Sequence, residues 1–406
     1  MGNRKSWAAQ THGMRIKSTP IPLSFEPRTR VWNRRTAHNF ITGAAIGARA
    51  FQHGEPTDPN VILCLNVISL PRHAELWLPG YVRNRIANWA RPDPSRVWVA
   101  IADHWEPYWN RPTDDVARER AEAWHKTWPE IASRYGDSTG KPPQYTFYYP
   151  QEEYRPDILD MLADLARRRV ADVEVHIHHD REGRQNFVDR MSSFIETLSA
   201  RHGLLRKAGD RIVFGFIHGN WALANSLPGG QWCGLNDEIS LLRDLGCYAD
   251  FTMPSGNSPS QSRMVNSIYW VTDDPLRPRS YDRGIPVRPG VAATGDLLMI
   301  TGPFGLRWTE RLVPRMETGE LAHQDLPTPY RVRRWLQLAP RIGNNIFIKL
   351  YTHGAKEINY QALFGGGLAR LFELMEQSCR QYGHELHYVS TWEMRQAVDA
   401  AAARAA

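Results

Sequence analysis

The chain has 406 residues, 42% hydrophobic and 23% charged, a globular composition that excludes a disordered, fibrous or collagen-like protein. That length allows one large α/β domain or two ordinary ones. Its net charge of +7 is uneven: residues 1–50 hold nine Lys or Arg against Glu26 alone, giving +8, so the rest carries 7 − 8 = −1. A near-neutral body argues against nucleic acid as a partner.

The N-terminal 1–75 reads as a basic, poorly structured arm, either solvated or in peripheral contact with an anionic membrane surface. The apolar runs 41–51 and 61–70 fall well short of the roughly 20 residues that span a bilayer. The first thirty residues lack the apolar core of a secretory signal. Cys64, Cys233, Cys247 and Cys379 show no paired spacing, so neither a disulfide framework nor a zinc signature is expected. A soluble cytoplasmic protein, membrane-peripheral at most, is the expectation. Oligomeric state stays open.

From residue 97 strands and helices alternate. VWVAIAD (97–103) is a continuous apolar strand, and the acidic pair Asp114-Asp115 opens a helix over 114–135. QYTFYY (144–149) is a strand whose Tyr145, Phe147 and Tyr149 share a core face. An amphipathic helix at 156–169 leads to the strand VEVHIH, then to a helix at 184–203 closed by Gly203. RIVFGFIHGN (211–220) is the next strand, DEISLLRDLG (237–246) a helix capped by Gly246, and CYADFTMP (247–254) a fifth strand. The stretch 255–292, rich in Ser, Pro, Gly and Asp, reads as a long loop without regular elements. Strands follow at 296–304 and 345–354, with a helix near 329–338 between them. A helix over 360–382 interrupted at Gly365–Gly367, a strand at 384–391 and a last helix complete the chain. Such alternation predicts parallel pairing with right-handed crossovers, in one closed (β/α) barrel over 76–406.

Chemistry in such barrels collects at the carboxyl ends of strands. Here those ends read DHWEP (Asp103, His104, Glu106), HIHHD (His176, His178, His179), HGNW (His218, Asn220, Trp221) and KLYTH (Lys349, Tyr351, His353). Side chains alternate along a strand, so Val173, Val175 and Ile177 face one way and Glu174, His176 and His178 the other. Two imidazoles that close repel when protonated and cost desolvation when buried alone, and a divalent metal relieves both problems. Strict alternation puts His104 opposite Val99 and Ile101; a bulge would be needed to present Asp103 as well. Imidazole plus carboxylate suits zinc first, with Mn, Fe or Co as alternatives. Trp105, Tyr108, Trp109, Trp221 and Trp232 follow strand ends and are candidates to stack on sugar rings.

These motifs resemble the polysaccharide deacetylase family of carbohydrate esterases, over about 97–400. VAIADHWEP sits where that family has its Asp-Asp motif, VEVHIHHD where it has a histidine pair, and LYTH (350–353) matches its closing Leu-x-x-His. His104 replaces the second aspartate, His-x-His-His replaces His-x-x-x-His, and HGNW stands where Arg-x-Pro is usual. The resemblance implies a distorted (β/α)7-type barrel and a metal-dependent hydrolase that removes an acetyl group from an N-acetyl sugar or glycan precursor. It further implies Asp103 as base or ligand, His104, His176 and His178 as ligands, and His353 as the acid that protonates the leaving amine. Lys349, Tyr351 and Asn220 would stabilise the oxyanion, and Glu106, His179, His218 and Trp221 would complete the substrate contacts. Two other readings use the same chain. One is a glycoside hydrolase pairing Asp103 or Glu106 with Asp250 or Glu357. The other is a catalytically inactive, glycan-binding barrel.

Overall fold

The computed structural model describes residues 70–89, 94–309 and 312–404. The expectations for the basic arm, the apolar runs 41–51 and 61–70, and Cys64 lie outside the described residues except at 70–75, where a short 3-10 turn at Pro71–His73 leads into a helix that begins at Ala74. From 70 onward the described chain falls in one compact unit, Asn66–Ala406.

Helix α1 (Ala74–Trp89) precedes strand β1 (Arg96–His104), helix α2 (Asp114–Ala132) and strand β2 (Tyr145–Pro150). Then come α3 (Pro156–Arg167), β3 (Ala171–Ile177), α4 (Arg184–Glu196), short β4 (Arg206–Ala208), β5 (Arg211–His218), α5 (Glu238–Leu245) and β6 (Cys247–Asp250). The stretch expected to be a featureless loop carries β7 (Ile268–Val271) and β8 (Ile285–Pro286), and β9 (Leu297–Ile300) follows it. A separate hairpin, β10 (Gly305–Trp308) and β11 (Pro314–Glu317), leads to α6 (Pro329–Leu338), β12 (Arg341–Ile342) and β13 (Asn345–Thr352). The last elements are α7 (Glu357–Ala362), α8 (Leu368–Tyr382), β14 (Glu385–Tyr388) and α9 (Thr391–Ala403). Between α7 and α8, Gly366 takes φ +120°, which only glycine adopts freely, and breaks the long helix where its glycines predict. Gly246 caps α5 in the left-handed region at φ +105°.

The main sheet runs β12-β13-β1-β2-β3-β5-β6-β9-β7-β8, with β14 also on β1 and β4 on β5. From β13 to β9 every neighbouring pair is parallel, as β/α alternation requires. The pairs β7–β9, β7–β8 and β12–β13 are antiparallel. Strand β1 is shared: its first half, Arg96 to Val99, pairs with β14, and its last three residues, Ala102 to His104, pair with β2. No ladder joins β9 to β12 or β13 among the described residues, so the hydrogen-bonded path is open. The sheet is nonetheless strongly curved. Lys349 on β13 donates from Nζ to Phe251 O, just past β6, at 2.8 Å. A Cβ on Gly302, just past β9, would stand 2.7 Å from Lys349 O, so the backbones pass too closely there for any other residue.

Apolar burial follows the two faces of the sheet. Outward residues Val97, Val99, Ile101, Val173, Val175, Ile177, Ile346, Ile348 and Leu350 pack under the helices with Trp124 and Trp128 of α2. Inward residues Ala100, Ala102, Tyr148, Ile217, Phe251 and Phe347 fill the concave side. The small alanines of β1 leave room at the interior for the larger polar groups above them.

Candidate metal centre

The alternation of β1 continues to its end. Asp103 follows Val97, Val99 and Ile101 onto the helix side, and His104 follows Ala100 and Ala102 into the interior. The placement of Asp103 as base or ligand is therefore corrected: its Oδ1 accepts from Gly354 N at 2.7 Å and its Oδ2 from Tyr145 Oη at 2.8 Å. No bulge brings it round. Burial raises its pKa to about 8 against the pull of those two donors. By contrast His104, 1% exposed, keeps its Nδ1 without a partner.

On β3, His176 faces the interior at zero exposure. Its Nδ1 lies 3.0 Å from Ile217 O. A carbonyl can only accept, so Nδ1 carries the hydrogen and Nε2 keeps a lone pair. That Nε2 makes no hydrogen bond and stands 3.5 Å from Glu106 Oε1. His178 repeats the pattern: its Nδ1 is 2.5 Å from Glu152 Oε1, and its Nε2 is 3.6 Å from the same Glu106 oxygen. Two imidazole edges and a carboxylate oxygen thus converge on one point, each ring held from behind by an acceptor. An ion with bonds of about 2.0–2.1 Å in tetrahedral array would hold its donors about 3.3 to 3.4 Å apart, close to these separations. Ligand atoms of His104, Glu106 and His176 all lie within 4.8 Å of one another, and His178 meets this group through its approach to Glu106.

Charge in the ion-free chain fits this geometry. Burial opposes ionisation of Glu106, yet His176 and His178 hold its pKa well below the usual range. For His178, burial is outweighed by Glu106 and Glu152, which raise its pKa to about 10. His104 and His176 are pushed down, burial being the main cause, and stay neutral, the state a metal ligand needs. Without an ion, the proton on His178 is the cation that binds the two carboxylates.

The other strand ends build walls around the cluster. The His353 ring lies 5.0 Å from that of His104, 5.6 Å from Trp221 and 6.3 Å from Trp109. Burial takes its pKa down to about 4, so it is neutral at neutral pH and starts as a proton acceptor, which alters the expected role of donor. Trp221 adopts φ +53°, an uncommon conformation for a bulky residue, and its ring stands 4.9 Å from His104. Lys356 Nζ sits 3.3 Å over the Trp109 ring. Tyr351 is 5.9 Å from His104 by ring centroids, its hydroxyl paired with Thr318 Oγ1 at 3.1 Å. Lys349 lies deeper, bonded to Phe251 O, and burial lowers its pKa to about 7.

Several expected site residues lie elsewhere. His179 and His218 continue the outward rows of β3 and β5 and meet Glu238 beneath the helices. Asn220 donates its backbone N–H to His218 Nδ1 at 3.2 Å. Trp105 is fully buried against Phe147 and Tyr149, a core residue and not a sugar platform. Tyr108 is tied to Asp114 and Arg155, and Trp232 lies on the surface beside Asp180. Of the carboxylates named for a glycoside hydrolase, Glu357 binds Arg120, and Asp250 accepts from both the backbone N–H and the hydroxyl of Thr252. Glu152 was missed by sequence reasoning, although the acidic pair in PQEE directly follows β2, a strand end like the others.

No family model matches the chain, and no curated protein sequence matches it. Among solved structures it is similar to a crystal structure of 4-alpha-glucanotransferase from Thermococcus litoralis, with 11% identity and a TM-score of 0.39. The match covers 74% of this chain and 40% of that one, so this chain spans less than half of that enzyme's length. A TM-score of 0.39 is too low to assign a function.

Proposed function

We propose that the chain is a divalent-metal-dependent hydrolase of the polysaccharide deacetylase kind, acting on an N-acetyl sugar or a glycan precursor, on a barrel-like curved sheet. The observation that carries the reading is the convergence of His176 Nε2, His178 Nε2 and Glu106 Oε1, with both imidazoles held at Nδ1 by acceptors. His176, His178, Glu106 and His104 would hold the ion, with zinc preferred for an imidazole-rich set and Mn, Fe or Co acceptable. A bound divalent cation would supply Lewis acidity toward an acyl oxygen and toward water.

The chain's own residues account for the remaining steps. His353, neutral and within one ring of His104, takes the proton from the attacking water and then returns it to the leaving nitrogen. Asp103 acts through the backbone: it anchors Gly354, the residue after His353, and so sets that ring's position. Trp109 and Trp221 flank His353 and offer flat faces on which a sugar ring can rest. Lys356, over Trp109, adds a positive charge at the rim.

Acetate release from N-acetylglucosamine oligomers tests the reading, measured on protein reconstituted in turn with Zn, Mn, Fe and Co. Acetate formed with one of these ions and abolished by His353→Gln supports it. A reducing sugar formed without acetate would replace it by glycoside hydrolysis. Binding of the oligomers without turnover by any metal form would leave a glycan-binding barrel.

A further inference from the structure

The ends of β3 and β5 also carry histidines on the face turned away from the metal centre. His179 and His218 point under the helices, where they meet Cys233 from the loop after β5 and Glu238 in the first turn of α5. One ligand atom from each of the four lies within 4.8 Å of the others, and all four residues are buried. Glu238 Oε1 is 3.1 Å from His179 Nε2 and 3.7 Å from His218 Nε2. Its Oε2 is 3.3 Å from Cys233 Sγ and accepts from Ala224 N at 2.7 Å. Cys233 Sγ receives backbone N–H groups from Asn225 at 3.3 Å and Leu235 at 3.4 Å and donates to Glu238 Oε2; burial and that carboxylate push its pKa up, so without an ion it is a thiol. His218 has zero exposure, and its Nε2, aimed into the cluster, makes no hydrogen bond.

We propose that His179, His218, Cys233 and Glu238 form a second, closed site for a structural divalent ion, zinc by its mixture of sulfur, nitrogen and oxygen donors. Two anionic ligands, a thiolate and a carboxylate, cancel the charge of a divalent cation, so the site is neutral where an unpaired charge would be costly. Binding displaces the Cys233 thiol proton to solvent and involves no change of oxidation state. The competing arrangement is a hydrogen-bonded knot in which both imidazoles donate from Nε2 to Glu238. Asn220 and Ala222 N–H groups approach His218 Nδ1 at 3.2 and 3.4 Å, which suits the knot, and ion binding requires that edge to turn away from them. The site has a structural purpose independent of the catalytic reading. It ties both ends of the loop between β5 and α5, so that Trp221 stays in its left-handed conformation beside His104.

Cobalt substitution of the full chain decides between ion and knot. A thiolate ligand gives Co(II) a sulfur-to-metal charge-transfer band in the near ultraviolet, and the metal centre of His104, Glu106, His176 and His178 holds no sulfur. The expected result is a band that appears on cobalt loading, disappears in Cys233→Ser and survives in the His176→Ala/His178→Ala double variant. Absence of the band, or of cobalt uptake, in folded protein would overturn the proposal, as would a band that persists in Cys233→Ser. If that variant does not fold, zinc-edge X-ray absorption of the unaltered protein serves instead. A sulfur neighbour at about 2.3 Å supports the site, and a shell of nitrogen and oxygen alone overturns it.

Discussion

Gly219 shows how tightly the candidate metal centre constrains single residues. A Cβ at that position would overlap Cδ2 and Cγ of the His178 ring, so glycine is required for His178 to reach Glu106 and Glu152. Gly219→Ala is expected to leave the far-ultraviolet circular dichroism unchanged and to weaken metal binding about 10- to 100-fold, the usual penalty for disturbing a ligand's support. Unchanged affinity would show that His178 is not a ligand. Protons provide a second test. With its ion-free pKa at about 10, His178 is protonated at pH 7, and an ion must displace that proton. Affinity is therefore expected to rise with pH from 6 to 9, with close to one proton released per ion. Calorimetry in buffers of different ionisation enthalpy measures that number, and a value near zero would contradict the geometry. Alternation made much of this visible in the sequence: it placed His176 and His178 together and His104 on the interior face. Asp103 entered as a ligand only on the assumption of a bulge, and the fold follows the alternation. The same alternation applied one residue further places His179 outward, away from the substrate side where the resemblance had put it.

Between elements, Asp103 links β1 to β2 through Tyr145 and to the end of β13 through Gly354. Burial raises its folded pKa to about 8, above an unfolded value of about 3.9. A group raised in this way contributes stability that is complete below pH 4 and is lost as pH rises through 8, because the unfolded chain then binds fewer protons than the folded one. Asp103→Asn removes the ionisation. Its denaturation midpoint is expected to fall less than that of the unaltered chain between pH 5 and 8. Parallel curves for the two proteins would mean that Asp103 ionises normally. The variant is also expected to lower kcat through His353 more than it raises KM. The strand 97–103 was legible as a continuous apolar run, and 173–178 and 345–354 by their alternation of apolar and polar residues. The four-residue β7 and the two-residue β8 were not, because they lie within a Ser- and Pro-rich stretch, β7 existing through pairing with β9 and β8 through pairing with β7. The β10–β11 hairpin escaped for the same reason: a two-stranded ribbon carries too short a pattern to stand out.

At the scale of the whole molecule, the centre draws on strands far apart in sequence. Glu106 follows β1, Glu152 follows β2, His176 and His178 end β3, Trp221 follows β5, and His353 follows β13. Its geometry is therefore a property of the assembled sheet, and an ion bound there adds to the stability of the entire unit. At free metal a hundredfold above Kd, the gain is about 2.7 kcal/mol, so chelation is expected to lower Tm reversibly. An unaltered melting curve after complete chelation would show that no ion couples to folding. The α/β alternation and the strand-end histidines could be read from the sequence. Curvature, the sharing of β1 by β2 and β14, and the partners behind each imidazole depend on contacts between distant segments, which no local pattern encodes. The most direct test is elemental analysis of purified protein beside a folded His176→Ala/His178→Ala variant, each equilibrated with Zn, Mn, Fe or Co. The double substitution is expected to lose about one equivalent of bound ion while any ion at Cys233 remains. Equal metal content in the two proteins would contradict a metal centre at the end of β3.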